Sequence, residues 1–170
     1  ELSGKMQAAS EEMSYERAAV FRDQIRSLTT LQSKQLVNLT KAEDVDVIAA
    51  TQAGGEICIQ VFFFRNGNNY GNKAFFPKFG KDDSFEDVFE AFLSQFYISH
   101  LVPKTVLVNQ ELPGIKVIQE ALRDHYKAKV SFSVPKRGER SDLMSHVIRN
   151  AEDALQRHMN KKSSYRKMLE

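Results

Sequence analysis

VDVIAATQAGGEICIQVFFFRNGNNYGNKAFF, residues 45–76, holds three β-forming runs separated by two tight-turn signals. Gly54-Gly55 follows VDVIAATQA (45–53), and Asn66-Gly67 follows EICIQVFFFR (56–65). Both dipeptides tolerate the positive φ that a two-residue hairpin turn needs. The third run, NYGNKAFF (69–76), stops at Pro77. Three strands joined in this way make an antiparallel meander.

Downstream the period changes. Ser84 is placed to cap FEDVFEAFLSQFYIS (85–99), in which Phe85, Val88, Phe89, Phe92, Leu93 and Phe96 share one broad helical face. KTVLVN (104–109) is a short apolar strand, Pro113 opens a helix through about His125, and KVSFSV (129–134) alternates as a strand. Pro135–Gly138 is a loop. From Glu139 or Ser141 a long helix runs on, with Leu143, Val147, Ala151, Ala154 and Leu155 inward. The order β-β-β-α-β-α-β-α implies an α+β (mixed α/β) domain, a five-stranded mixed sheet with helices on its faces. It resembles the element order of the ribonuclease H-like fold.

Upstream, residues 1–34 contain no Pro, one Gly and two helical stripes: Leu2, Met6, Ala9 and Met13, then Ala18, Phe21, Ile25 and Leu28. The stripes break near Ser14, a good N-cap, with Glu16 in the first turn after it. This reads as a helical hairpin. Two helices of that length bury little surface between them and are marginal alone, so the module calls for a partner. The expected organisation is a hairpin over 1–36, a polar linker over 37–44, the mixed domain over 45–160, and a basic helical extension over 161–170.

Composition narrows the function classes. Of 170 residues 42% are hydrophobic, enough for a buried core, and a single cysteine, Cys58, excludes a disulfide scaffold or a multi-cysteine zinc site. No apolar run approaches the roughly 20 residues of a membrane helix, and ELSGKMQ at the N-terminus lacks signal-peptide regions. A soluble, cytoplasmic protein with no membrane partner is expected. The balance of 24 Lys+Arg against 22 Asp+Glu is nearly neutral, but residues 135–170 hold nine basic and five acidic side chains. That local excess suits either phosphate or a solvated helix face.

Catalytic chemistry is hard to find. A two-metal nuclease of the ribonuclease H type needs converging carboxylates on the first strand, the first helix and the end of the fourth strand. Here the first strand offers only Asp44 and Asp46 near its start, its middle is Ile48-Ala49-Ala50, and the fourth strand ends in Asn109 with Glu111 two residues on. Glu86, Asp87 and Glu90 read as a solvent face of the helix. A nuclease would require Asp46, Glu90 and Glu111 or Asp142 to meet. His100, His125, His146 and His158 lack metal-ligand spacing, Cys58 lies in an apolar strand, and no glycine-rich phosphate loop is present. No catalytic residue, metal, cofactor or small-molecule substrate is expected.

The informative stretch is VPKRGERSDLM (134–144). Lys136, Arg137 and Arg140 surround Gly138 where a strand hands over to a helix, so cations, loop amides and a helix N-terminus are able to converge on one anion. The other reading is that an arginine caps the helix or pairs with Glu139 or Asp142. Lys161, Lys162, Arg166 and Lys167 add charge near the end.

KMQAASEEMSYERAAVFRDQIRSL, residues 5–28, resembles the UVR motif of the UvrB and UvrC families. Met6, Ala9, Met13, Tyr15, Glu16, Ala18, Ala19, Arg22, Asp23, Ile25 and Leu28 occupy its pattern, with Tyr15 and Met13 where Phe and Leu are usual. The stretch from DVDVIAATQAGGEICIQVFFFRNG through PKRGERSDLMSHVIRNAEDAL resembles the part of UvrC between this motif and its C-terminal nuclease. UvrB would carry the motif at its end.

The resemblance implies the nuclease subunit of bacterial nucleotide excision repair, recruited to UvrB on damaged DNA. Neither the GIY-YIG domain nor the ECFDIS-type strand of the second nuclease is in the chain, so a central part of UvrC is expected, with a catalytically inactive ribonuclease H-like domain. It further implies that Met6, Ala9, Met13, Tyr15, Ala18, Ala19 and Ile25 dock on UvrB, with Glu16, Arg22 and Asp23 at the rim. Lys136, Arg137 and Arg140 are then the expected contacts to double-stranded DNA. Two alternatives stay open: a protein scaffold without DNA contact, and a metal-dependent nuclease.

Overall fold

The centre of the sheet is buried on both faces in the computed structural model, which describes residues 39–169: positions 45–50 and 57–62 are buried without a break. The chain divides into two units, Glu1–Val37 and Asn38–Glu170, and the described residues belong to the second. The expected N-terminal hairpin lies outside them. β1 (Val45–Ala53), β2 (Glu56–Arg65) and β3 (Asn68–Phe75) form the antiparallel meander. Both turns have two residues, since Ala53 faces Glu56 and Arg65 faces Asn68. All four turn residues have positive φ: Gly54 55°, Gly55 75°, Asn66 55° and Gly67 79°. That is the twist-matched hairpin geometry the dipeptides favour. The β2–β3 register shifts between Phe63, opposite Gly71, and Phe64, opposite Asn69. Tyr70 is the extra residue and is 70% exposed.

After the meander come α1 (Phe85–Ser99), β4 (Thr105–Val108), α2 (Ile115–Tyr126), β5 (Ser131–Ser133) and α3 (Glu139–Leu169). β4 lies parallel to β1, β5 lies parallel to β4, and the sheet order is β3-β2-β1-β4-β5. The mixed five-stranded sheet and its element order are those expected. α1 is closed at its start by a capping box between Ser84 and Asp87. α2 begins two residues later than Pro113 suggests, because Gly114 occupies its N-cap. β5 is shorter than 129–134. It pairs with β4 only over Ser131–Ser133, and the Val130 carbonyl accepts from the Gln119 side chain at 3.2 Å.

The two sheet faces carry different helices. Ile48, Ile59, Val61, Val106 and Val108 join Phe89, Leu93, Phe96 and Tyr97 of α1 and Ile118 and Leu122 of α2 in one apolar cluster. Rings at Phe92, Phe96 and His100, one helical turn apart, stack in succession at 5.3 and 4.1 Å between centroids. On the opposite face α3 crosses β1 and β2, burying Leu143, Met144, Val147, Ala151, Ala154 and Leu155. Past Leu155, α3 reaches the β1–β2 turn, where Glu56 accepts from Lys162 and His158 stacks on Phe76.

The segment before β1 is anchored. Leu39 is buried, its N–H donates to the Gly67 carbonyl at 2.9 Å, and the Gly67 N–H donates to the Glu43 carbonyl at 2.9 Å. The Asn66 N–H donates to the Asp44 carboxylate at 2.9 Å. A Cβ on Gly67 would lie 2.7 Å from the Lys41 carbonyl oxygen, so the close approach and the positive φ both require glycine.

Candidate nucleic-acid interface

The loop between β5 and α3 carries the three cations read from the sequence. Gly138, with φ 85°, turns the chain into α3, and its carbonyl accepts from Asp142 N–H at 3.0 Å as the helix starts. Lys136 is exposed, its Nζ 3.7 Å from the exposed carboxylate of Glu111, a weak pair in high dielectric. Arg137 is exposed and has no polar partner among the described residues. Arg140 donates from Nη2 to Glu43 Oε1 at 2.8 Å.

That last contact differs from the pairing with Glu139 or Asp142 that spacing suggests. The Glu139 carboxylate is occupied by Thr40, accepting from its N–H at 2.9 Å and from its hydroxyl. Those bonds hold the Glu139 carboxyl below the usual carboxylate range. The start of α3 is therefore stitched to residues 40–43. Glu139 and Asp142 already supply negative charge to its first turn, so the donors this loop leaves open are the side chains of Lys136 and Arg137 and the guanidinium donors of Arg140 beyond its Glu43 bond.

The carboxylates of a two-metal centre do not gather. Asp46 is 1% exposed and receives Arg65 Nη1 at 2.9 Å and the Tyr97 hydroxyl at 2.6 Å. Burial raises its pKa despite both bonds, and burial also pushes the Tyr97 hydroxyl well up. Glu86 and Glu90 are half-buried and not a solvated face. Glu86 accepts from Gln110 at 3.1 Å, and Glu90 accepts from Gly114 N–H at 2.7 Å, the part that an N3 carboxylate plays in a capping box and that Val117 of α2 cannot. Asp87 belongs to the capping box and Glu111 faces Lys136. Among the described residues no three His, Cys, Asp or Glu side chains gather to hold a metal ion. The residues present do not fit the paired divalent ions of a ribonuclease H-type nuclease.

Of the remaining reactive groups Cys58 and His146 are packed into the fold, whereas His125 is exposed. Cys58 is fully buried, and burial pushes its thiol up to about 11. His146 meets the Phe62 ring edge-on at 5.8 Å, and burial, with the Arg149 charge second, lowers its pKa. His125 lies edge-on to Tyr126. Among the described helices none is long and apolar enough to cross a membrane.

Sequence reading misses Thr40 and Glu43 as partners of the basic loop. They lie 99 and 97 residues from Glu139 and Arg140, and no local spacing signals a bond across that distance. The residues Met6, Ala9, Met13, Tyr15, Glu16, Ala18, Ala19, Arg22, Asp23 and Ile25 lie outside the described residues.

Comparison with known proteins gives two family matches. Residues 44–158 match the UvrC ribonuclease H-like domain and residues 1–30 match the UvrB/UvrC motif. Over all 170 residues the chain is 45% identical to UvrABC system protein C of Paramagnetospirillum magneticum and 42% identical to that of Rhodospirillum rubrum, covering 27% of each. It is 44% identical over 169 residues to the protein of the same name from Brucella abortus, covering 28% of it. The chain thus spans about a quarter of the length of the curated relatives it matches. Among solved structures, ribonuclease H1 of Halobacterium salinarum aligns with a TM-score of 0.37 at 8% identity, over 65% of this chain and 98% of that one.

Proposed function

The chain belongs to the UvrC family, and from that membership we propose that it serves nucleotide excision repair as a docking and positioning segment between nuclease domains. Its N-terminal motif binds UvrB. Its ribonuclease H-like domain places the incision chemistry on duplex DNA by touching the phosphate backbone through Lys136, Arg137 and Arg140. The observation that carries this reading is the presence of both family matches, motif and domain, in one chain.

In the docking step Met6, Ala9, Met13, Tyr15, Ala18, Ala19 and Ile25 bury apolar surface against UvrB, and Glu16, Arg22 and Asp23 fix orientation at the rim. Tyr15 is the aromatic anchor. A calorimetric titration of UvrB into Tyr15→Ala is expected to show at least tenfold weaker binding, about 1.4 kcal/mol. Unchanged affinity removes the docking claim.

A second reading, a protein-interaction scaffold without DNA contact, is favoured by one observation: two of the three loop cations already face carboxylates, Lys136 at Glu111 and Arg140 at Glu43. Salt-dependent duplex binding separates the two readings, because phosphate neutralisation releases counterions and a scaffold shows none.

A further inference from the structure

We propose that the groove between α2 and β5 is a second phosphate-backbone site, which takes a nucleic-acid strand running along the β5 edge. It rests on the DNA-contact reading above but names a separate surface. The groove is open, about 250 Å³, and is lined by Lys116, Gln119, Glu120, Arg123, Lys129 and Val130. Lys116, Arg123 and Lys129 are exposed and none has an ion-pair partner among the described residues, unlike Arg65 and Arg140. Three unpaired cations against one carboxylate leave a concave surface with positive potential, which focuses the field on an anion.

Spacing selects an extended polyanion over a single phosphate. Lys116, Glu120 and Arg123 lie along one stripe of α2, and the two cations stand about 10 Å apart along the helix axis. Glu120 between them disfavours a single anion at the midpoint, which favours separate phosphates on either side. Successive phosphates of a strand meet Lys116 and Arg123 on either side of it.

The strand edge adds direction. β5 is last in the sheet order, and no described strand pairs beyond it. Ser131 N–H points inward, donating to the Lys104 carbonyl at 2.8 Å, so by alternation Phe132 turns its N–H to the free edge. Gln119 fixes the groove floor by donating to the Val130 carbonyl. Lys129 stands two residues before β5, and Lys136 and Arg137 stand just beyond its end. A strand tracking this edge meets the groove cations first and the loop cations next.

The test uses the 170-residue chain and a fluorescently labelled oligonucleotide, single-stranded and duplex, read by anisotropy at several salt concentrations. The Lys116→Ala/Arg123→Ala/Lys129→Ala variant is expected to bind roughly tenfold or more weakly at low salt, with the slope of log K against log salt shallower by about two to three. A Lys116→Arg/Lys129→Arg variant keeps both affinity and slope, and circular dichroism checks that each variant is folded. Wild-type binding with an unchanged triple variant overturns the groove site, whatever Arg137→Ala does. A weakened triple variant beside an unchanged Arg137→Ala supports the groove and removes the loop contact. Failure of the wild-type chain to bind either oligonucleotide at low salt removes both.

Discussion

Asn109 grips Ala50 by both of its backbone groups: Oδ1 accepts from the Ala50 N–H at 3.0 Å and Nδ2 donates to the Ala50 carbonyl at 2.9 Å. β4 ends at Val108, opposite Ile48, so β1 runs on without a neighbour on that side. The amide of Asn109 replaces the missing ladder bonds. The end of the fourth strand, where a ribonuclease H-type nuclease places a metal-binding carboxylate, here holds the sheet together.

A carboxylate at this position accepts from Ala50 but cannot donate to it. Asn109→Asp is therefore expected to lower stability by about 1–3 kcal/mol, read as a shift in the urea midpoint with an unchanged slope. A midpoint equal to that of wild type contradicts the assigned role.

Gly67 faces a backbone wall and not a yielding side chain. The carbonyl oxygens of Lys41 and Leu39 would lie 2.7 and 3.1 Å from an added Cβ, at a φ of 79°. Gly67→Ala is expected to cost about 1–3 kcal/mol and to speed amide exchange at Leu39, whose bond to the Gly67 carbonyl is displaced. Gly55, equally left-handed but with nothing within 4 Å, is expected to cost less when replaced by alanine; equal losses at the two sites contradict the steric account.

His146 supplies a pH dependence. Its pKa is lowered in the folded protein, so the unfolded chain binds the proton more readily. The stability it contributes is present above the ordinary histidine value of about 6.5 and is lost as pH falls through and below it. His146→Leu, which keeps an apolar contact with Phe62, is expected to flatten the stability profile between about pH 7 and 5 in chemical denaturation. A profile with the wild-type slope assigns the dependence elsewhere.

On the proposed phosphate contact of Arg140, its ion pair with Glu43 is a competitor. Removing its charge by Glu43→Gln frees the guanidinium, and duplex affinity at low salt is expected to rise, about twofold to fivefold for one released charge contact of a fraction of a kcal/mol to one kcal/mol. Lower or unchanged affinity in an anisotropy titration argues that Arg140 serves the fold alone.

The legibility of the sequence tracks the range of its interactions. The Gly54-Gly55 and Asn66-Gly67 turns fix φ locally, so the meander is readable to within a residue, as is α1 with its Ser84 cap. β5 is not, because β4 offers it partners only at Ser131–Ser133, a limit set by another strand. The α2 start at Ile115 likewise depends on a distant partner, since Glu90 on another helix accepts from Gly114 N–H. The basic loop is visible as composition, but its pairing with Glu43 joins positions 97 residues apart. Asn109, in sequence only a poor metal ligand, has a structural task that becomes apparent once β1 and β4 are side by side.

The most direct test of the account measures duplex DNA with this chain at low and high salt, with and without Mn²⁺, monitoring bound fraction and cleavage together. Binding that weakens steeply with salt, unaccompanied by cleavage, is the expected result for a ribonuclease H-like domain acting as a backbone-contacting platform. No binding at low salt, or strand cleavage that depends on Mn²⁺, contradicts it.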